Sequence, residues 1–160
     1  MKTIGIDIGT AITGWAVVDN DPKFANKYRV YDYGAIFTEA DQEMPYRLQK
    51  IYHDLSRIID EFKPEHIAIE DLFFFKNQKT VIKVAQARGV IIVAAKNKGL
   101  EVFDYTPLQV KQAVTGYGRA EKKQVQQMVT KILGLKEVPK PDDTADALAI
   151  SICHLNTFRL

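Results

Sequence analysis

The chain has a single cysteine, no long apolar run and very little net charge. The one cysteine, Cys153, excludes an internal disulfide framework and favours a reducing, cytoplasmic compartment. The longest uninterrupted apolar run, residues 90–95, is far too short to cross a bilayer, so we expect no membrane association. Lys2 is the only early positive charge, and Asp7 interrupts the apolar run that follows it. This pattern argues against a signal peptide.

The net charge is small, but basic and acidic residues are unevenly distributed along the chain. The formal net charge is +2; residues 1–70 hold 8 basic and 12 acidic side chains, whereas residues 71–160 hold 14 and 8. A basic second half indicates a polyanionic partner on one face, although a solvated surface can show the same asymmetry. The length of 160 residues predicts one domain, 1–160, with a single sizeable core.

The stretch that organises the chain is residues 3–10, Thr-Ile-Gly-Ile-Asp-Ile-Gly-Thr. Its β-branched apolar residues and its glycine near the end are typical of a buried strand followed by a turn. A carboxylate in such a strand, here Asp7, is costly unless a metal ion, a hydrogen-bond network or a cationic ligand neutralises it.

Hydrophobic periodicity predicts the remaining elements. Alternating patterns predict strands over 12–19, 28–38, 65–70 and 101–105, and spacings of three and four predict helices over 45–62, 77–97, 107–114, 120–133 and 142–156. We expect Thr106 and Asp142 to act as N-caps. The order βββαβαβααα predicts an α/β fold of the RNase H-like type. Such a fold has a five-stranded mixed sheet (a three-strand antiparallel meander plus two parallel strands) with helices on both faces.

This predicted topology brings four acids to one edge of the sheet, where they form a candidate metal site. Asp7 and Glu70 end strands that we infer to be parallel, and such strands present their carboxyl ends at the same edge of a sheet. Asp143 and Asp146 lie three apart at the start of the last helix and share one face. Carboxylates at that density repel one another unless a cation joins them, and oxygen ligands select Mg²⁺, with Mn²⁺ as a substitute. Two such ions would clamp a phosphodiester for hydrolysis.

Each acid also has a purely structural alternative. Asp7 could be a hydrogen-bonded acid at a strand end, and Asp143 and Asp146 could complement the helix dipole. Asp71 is as acidic as Glu70 beside it, and strand alternation lets only one of the two face the site. No cysteine and histidine set has the spacing of a zinc site, and no serine–histidine–aspartate arrangement is suggested.

At this point the sequence resembles the RuvC family of Holliday-junction resolvases over nearly its whole length. The motifs that carry the resemblance are Gly5-Ile6-Asp7-x-Gly9, Ala68-Ile69-Glu70, Lys76-Asn77, Gln86-Ala87-Arg88-Gly89-Val90, Gln109-Val110-Lys111-Gln112, Ala120-Glu121-Lys122 and Asp143-Thr144-Ala145-Asp146. The resemblance implies a homodimeric, metal-dependent endodeoxyribonuclease. Such an enzyme nicks two strands of a four-way DNA junction symmetrically during recombination and repair.

The resemblance also assigns roles by position. Asp7, Glu70, Asp143 and Asp146 match the catalytic metal ligands. Phe73 and Phe74 match the aromatic that stacks on unpaired bases, and Lys76 lies in the matching DNA-binding segment; Lys111 and Lys122 match basic residues near the scissile phosphates. Ala85 and Gly89 lie on the helix that matches the dimer helix. A branch-migration helicase is a further expected partner.

Three other functions compete with this interpretation. A different RNase H-like nuclease would cut RNA or an RNA–DNA hybrid instead of a four-way junction. A junction-binding module would bind the DNA without nicking it. The segment 5–10 also looks like the first phosphate loop of actin-like ATPases and sugar kinases, but 160 residues leave no room for the second domain that those proteins need.

Overall fold

The computed structural model of the chain describes residues 1–71 and 78–158. Its elements are β1 (Lys2–Asp7), β2 (Ile12–Asn20), β3 (Tyr28–Phe37), α1 (Met44–Phe62), β4 (His66–Glu70), α2 (Gln78–Asn97), β5 (Glu101–Tyr105), α3 (Pro107–Thr115), α4 (Lys122–Leu133) and α5 (Asp142–Thr157). Every predicted strand and helix is present within a few residues of its predicted bounds.

The five strands form one mixed sheet in the order β3-β2-β1-β4-β5. The pairs β1–β2 and β2–β3 are antiparallel, and the pairs β1–β4 and β4–β5 are parallel. Helices α1 and α2 supply the connections that parallel pairing requires. The predicted meander followed by two parallel strands, and with it the RNase H-like fold, is confirmed.

Two apolar clusters cover the two faces of the sheet. On one face Ile4, Ile6, Ile67 and Ile69 pack with residues of α1 and α2. On the other face Ala16, Val18 and Ala68 pack with α3, α4 and α5. Because successive strand residues point to opposite faces, Asp7 and Glu70 share the face on which α5 lies. Alternation along β4 therefore selects Glu70, not Asp71, for the α5 face.

The two predicted helix caps, Thr106 and Asp142, differ in outcome. Thr106 accepts a hydrogen bond from Gln109 N (3.2 Å) and its own N–H donates to the Gln109 side chain (2.8 Å), a reciprocal cap. The prediction that Asp142 caps the last helix is wrong. Pro141 occupies the cap position without a side-chain bond, and Asp142 is the first helical residue. Its carboxylate instead lies 3.3 Å from Lys122 Nζ.

Within the described residues, no helix combines the length and the apolar character that crossing a bilayer would require.

Candidate active site

Two adjacent parallel strands bring Asp7 and Glu70 together. The pairing of β1 with β4 runs to Ile6 opposite Ile69, so that Asp7 and Glu70 are the next residues on neighbouring strands. Each is the last residue of its strand. Both side chains therefore leave the same edge of the sheet, on the side of α5.

Two glycines let α5 lie directly on the strands. A Cβ on Gly14, which pairs with Asp7, would overlap the backbone carbonyl of Asp143, and a Cβ on Gly5 would overlap Ala147 and Ser151. Because neither strand residue has a side chain, the helix backbone approaches to contact distance.

Hydrogen bonds fix the helix in that position. Thr144 Oγ1 donates to Gly34 O (3.2 Å), and Ser151 Oγ lies 3.2 Å from Ala16 O. The first turn of α5 thereby carries Asp143 and Asp146 to the edge where Asp7 lies.

The Asp7 carboxyl is the centre of a group of three acids that also includes Asp143 and Asp146. The Asp7 carboxyl is within hydrogen-bonding reach of those of Asp143 and Asp146. Burial, followed by the charges of Asp146, Asp143 and Glu70, raises the pKa of Asp7 to about 9. At neutral pH this carboxyl retains a proton unless a cation is bound, because like charges at this distance cannot all be ionised.

Basic neighbours also affect the pKa values of Glu70 and Asp146. Burial and the charge of Asp146 raise the pKa of Glu70, and Lys111 opposes the shift. Burial raises the pKa of Asp146, and Lys122 lowers it. Burial lowers the pKa of Lys122, but the carboxylates of Asp146 and Asp142 outweigh that effect and the net shift is upward.

These side chains line a groove of about 290 Å³ between the sheet edge, α3, α4 and α5. Its lining residues are Glu70, Pro107, Val110, Lys111, Lys122, Val125, Asp146 and Ala149. Lys122 Nζ lies 3.7 Å from Asp146. The groove therefore presents carboxylates on one wall and ammonium groups on the other, an arrangement suited to a phosphate group beside a bound cation.

The donor set fits a hard divalent cation. All four acids offer carboxylate oxygens, and the raised pKa of Asp7 reveals a local excess of negative charge that a cation would relieve. In this conformation no three acidic, histidine or cysteine side chains among residues 1–71 and 78–158 enclose a metal position. The carboxyl groups would have to turn toward a common point to bind one.

The other predicted site residues lie elsewhere. Phe73, Phe74 and Lys76 fall outside the described residues. Ala85 and Gly89 lie on α2, where they line an apolar groove of about 570 Å³. The other residues that line this groove are Pro45, Leu48, Gln49, Tyr52, Gln86, Val90 and Val93.

The strand predictions over 3–10 and 12–19 include Gly5 and Gly14 but do not predict that these two glycines position α5. A glycine in a strand interior is itself a signal, because it often marks a close approach of another backbone.

Comparisons with known proteins identify the family. The family model described as "Crossover junction endodeoxyribonuclease RuvC" matches residues 3–154. A protein of that name from Fusobacterium nucleatum is 57% identical over 158 residues, covering 99% of this chain and 82% of the relative. The protein of that name from Syntrophomonas wolfei is 54% identical over 160 residues, covering 100% of this chain and 91% of the relative.

A solved structure agrees with the sequence relatives. Thermus thermophilus RuvC, determined in complex with a Holliday junction substrate, superposes with a TM-score of 0.89 at 39% identity, covering 96% of this chain and 92% of that one. The family match, the two relatives and this superposition all extend over nearly the full chain. This chain belongs to the RuvC family of crossover junction endodeoxyribonucleases.

Proposed function

We propose that this chain is a metal-dependent endodeoxyribonuclease that resolves four-way (Holliday) DNA junctions by paired symmetric nicks, in recombination and DNA repair. The observation that carries the proposal is the group of four carboxylates from β1, β4 and α5 at one edge of the sheet, of which Glu70 and Asp146 line a groove together with Lys111 and Lys122. Family membership and the junction bound to the Thermus thermophilus relative support the same substrate.

Asp7, Glu70, Asp143 and Asp146 are the residues that would hold Mg²⁺, with Mn²⁺ as a substitute. Bound there, the cation would supply Lewis-acid stabilisation of the phosphodiester and a more acidic water as the nucleophile. The buried position of Asp7 gives it the largest electrostatic response to a cation, since its carboxyl is the most strongly surrounded by like charge.

Lys111 and Lys122 are proposed to orient the scissile phosphate. Both line the acidic groove, and each acts electrostatically on one of the carboxylates, Lys111 on Glu70 and Lys122 on Asp146. An ammonium group at either position neutralises phosphate charge as the phosphodiester bond breaks. Phe73, Phe74 and Lys76 are proposed to contact unpaired bases and phosphate at the crossover, where an aromatic face stacks on any base.

Two copies of the chain are proposed to pair through α2. Ile82 and Val93 on this helix are 61% and 51% exposed, and among the described residues nothing lies within 4 Å of a Cβ placed on Gly89. A second α2 against this face would cover the apolar groove and offset the cost of a mid-helix glycine, about 1 kcal/mol. A two-fold dimer fixes the spacing of two active sites, as paired nicks require.

The remaining expectations concern the cellular setting. We propose a cytoplasmic, nucleoid-associated enzyme that works beside a branch-migration helicase, and a single domain over 1–160. The composition, with one buried cysteine, Cys153, is compatible with a reducing compartment.

The decisive experiment incubates the protein with an end-labelled mobile four-way junction and Mg²⁺ and maps both nicks. We expect cuts at symmetric positions in two opposing strands and little cutting of an RNA–DNA hybrid of matched sequence. Faster cutting of the hybrid would assign the second nuclease class, and binding without nicking in Mg²⁺ or Mn²⁺ would leave only a binding module.

A further inference from the structure

The loop that joins α3 to α4, residues 116–121, exposes an aromatic ring, Tyr117, and a cation, Arg119. Tyr117 is 59% exposed, and Arg119 lies on the surface. Neither Arg119 nor the nearby Lys123 forms an ion pair with a carboxylate of the described residues. An exposed aromatic beside free cations is the chemistry of a nucleic-acid contact.

The loop is rigidly built. Gly116 ends α3 with φ of 75° while its N–H donates to Gln112 O (2.8 Å). The Tyr117 N–H donates to Thr115 Oγ1 (3.1 Å), and the Ala120 N–H donates to Tyr117 O (3.2 Å). Gly118 is partly buried and Ala120 is buried, whereas Tyr117 and Arg119 are exposed. Tyr117 and Arg119 are therefore held outward before any partner arrives, which lowers the entropy cost of binding.

The loop lies against the wall of the acidic groove. A Cβ on Gly118 would lie 2.9 Å from Leu108 Cγ, so the loop packs on the first turn of α3. Leu108 follows Pro107 and precedes Lys111 by one turn, and both of those residues line the groove. At its other end the loop leads into Lys122, which also lines the groove. The loop thus connects the two basic positions of the site along the outside of the groove.

Charge on this unit favours a polyanion. From Pro107 to Val125 the chain holds Lys111, Arg119, Lys122 and Lys123 against the single acid Glu121. Lys111 and Lys122 face the carboxylates, which leaves Arg119 and Lys123 without an acidic partner among the described residues. Leu108, 53% exposed, adds an apolar surface beside them.

We propose that this loop is a second DNA-contacting surface, in which Arg119 binds a backbone phosphate of the duplex arm that leaves the acidic groove and Tyr117 packs on a sugar or base of the same arm. The proposal rests on the proposed function, because it takes the substrate of the acidic groove to be DNA. Arg119 supplies a sequence-independent contact, and Tyr117 supplies an apolar one.

The test measures binding of a fluorescein-labelled four-way junction by anisotropy, without divalent metal, over a salt titration. Arg119→Ala should raise the dissociation constant and lower the slope of log affinity against log salt by about 0.9, because one phosphate contact is lost. Arg119→Lys should retain the slope. Tyr117→Ala should raise the dissociation constant about fivefold or more with the slope unchanged, because the lost contact is uncharged.

Two matched controls lie at the opposite edge of the sheet. Lys23 and Phe24 are exposed in the turn after β2, where that strand pairs with the start of β1. Lys23→Ala and Phe24→Ala should leave affinity and slope as in the wild type. Arg119→Ala that behaves like Lys23→Ala would overturn the phosphate contact, and Tyr117→Ala that behaves like Phe24→Ala would overturn the apolar one.

The same proteins separate this surface from the proposed function. Nicking of the junction by the wild type in Mg²⁺ tests the acidic groove, whereas the anisotropy measurements test the loop. If the wild type fails to nick but Arg119→Ala lowers the salt slope, the nuclease assignment fails and the surface stands. If nicking is normal and both loop variants bind like their controls, the surface fails and the nuclease assignment stands.

Discussion

At Asp7, burial and the charges of the neighbouring acids both raise the pKa of the carboxyl. The residue ends a strand whose neighbours Ile4 and Ile6 are fully buried, and three other carboxylates act on it. A fold that needed only a strand-end acid would pair Asp7 with a donor. The crowding of four acids instead opposes folding in the absence of a cation, which is the pattern expected of a functional site.

Replacing Asp7 by asparagine should separate nicking from binding. Loss of a residue that only hydrogen-bonds to a metal ligand costs about 10–100-fold in affinity or activity, so that Asp7→Asn, which removes a proposed direct ligand, should lower the nicking rate by more than about a hundredfold. Junction affinity should stay within about twofold, since the basic residues proposed to bind phosphate remain. Asp41→Asn, at an exposed position, is the control, and a normal nicking rate for Asp7→Asn would refute the assignment.

Metal binding should also be visible in thermal unfolding without any DNA. A ligand that binds only the folded chain stabilises it by mass action, so Mg²⁺ or Mn²⁺ should raise the melting temperature of the wild type. In EDTA at neutral pH, Asp7→Asn should melt higher than the wild type, because the neutral amide replaces a carboxyl that the fold keeps protonated well above its ordinary pKa. Its melting temperature should respond less to Mg²⁺. Equal responses in the two proteins would place the metal elsewhere.

Among the elements, α5 is the one whose packing against the sheet positions the site. Ten of its residues from Ala145 to Leu155 are buried, and it contacts β1 and β2 through positions that lack side chains. The site therefore depends on the distance between this helix and the sheet as much as on the acids themselves.

Gly14→Ala should lower the nicking rate although Gly14 is not one of the four acids. The new Cβ would overlap the Asp143 carbonyl, so that the first turn of α5 must shift and carry Asp143 and Asp146 away from Asp7. Overpacking of this kind costs about 1–3 kcal/mol in the free energy of unfolding. The nicking rate should fall even at a temperature where the variant is fully folded, because the acids are displaced. Urea unfolding and junction nicking measure the two effects. In Gly89→Ala, where the site is open within the chain, the subunit should remain folded.

A buried hydrogen-bonded chain also fastens α5 to the sheet. His154 on α5 is fully buried; its Nε2 lies 2.9 Å from His66 Nδ1 on β4, and its Nδ1 lies 2.8 Å from the Tyr105 hydroxyl on β5. Phe103 and Phe158 pack their rings against it. Burial, and then the nearby His66, lowers the pKa of His154 from 6.5 to about 4.

The contribution of His154 to stability should therefore fall in mild acid, whereas Asp7, with its raised pKa, contributes in the opposite direction over the same range. Between pH 6.5 and about 4 the unfolded His154 binds a proton that the folded one does not, so the contribution of His154 to the free energy of unfolding is complete above pH 6.5. It declines below that pH by at most about 1.4 kcal/mol per unit. Urea unfolding of His154→Gln over this range should show a shallower decline than the wild type, whereas His53→Gln, at an exposed position, should not. Parallel declines in all three would contradict the assignment.

Local sequence patterns were sufficient to predict the strands and helices, and the topology that they imply was sufficient to bring three of the four acids together. The periods of two and of 3.6 locate the strands and helices, and the topology places Asp7, Asp143 and Asp146 at one edge. The choice between Glu70 and Asp71 needed the packing of Ala68 against α5. The chain from His66 through His154 to Tyr105 joins three elements that are far apart in sequence, and no local signal announces it. The cap at Asp142 was wrong because Pro141 already begins the turn.

At the scale of the whole molecule, one apolar face is left uncovered by residues 1–71 and 78–158. The apolar groove between α1 and α2 lies on the side of the sheet opposite α5, and therefore away from the carboxylates. A second copy seated there would leave both acidic grooves free. It would also hold the two active sites at a constant separation, which a monomer cannot do.

Val93→Asp should break the pairing of subunits. Val93 lines the α1–α2 groove and is half exposed, so an aspartate there costs the folded subunit little, whereas two copies would bury unpaired charges against an apolar surface. Sedimentation should show a dimer for the wild type and a monomer for the variant. On a supercoiled plasmid with an extruded cruciform, the wild type should produce linear DNA by paired nicks and Val93→Asp mainly nicked circles. Phe24→Asp, at an exposed turn far from α2, should behave as the wild type in both assays; a dimeric Val93→Asp that still linearises the plasmid would move the interface away from this groove.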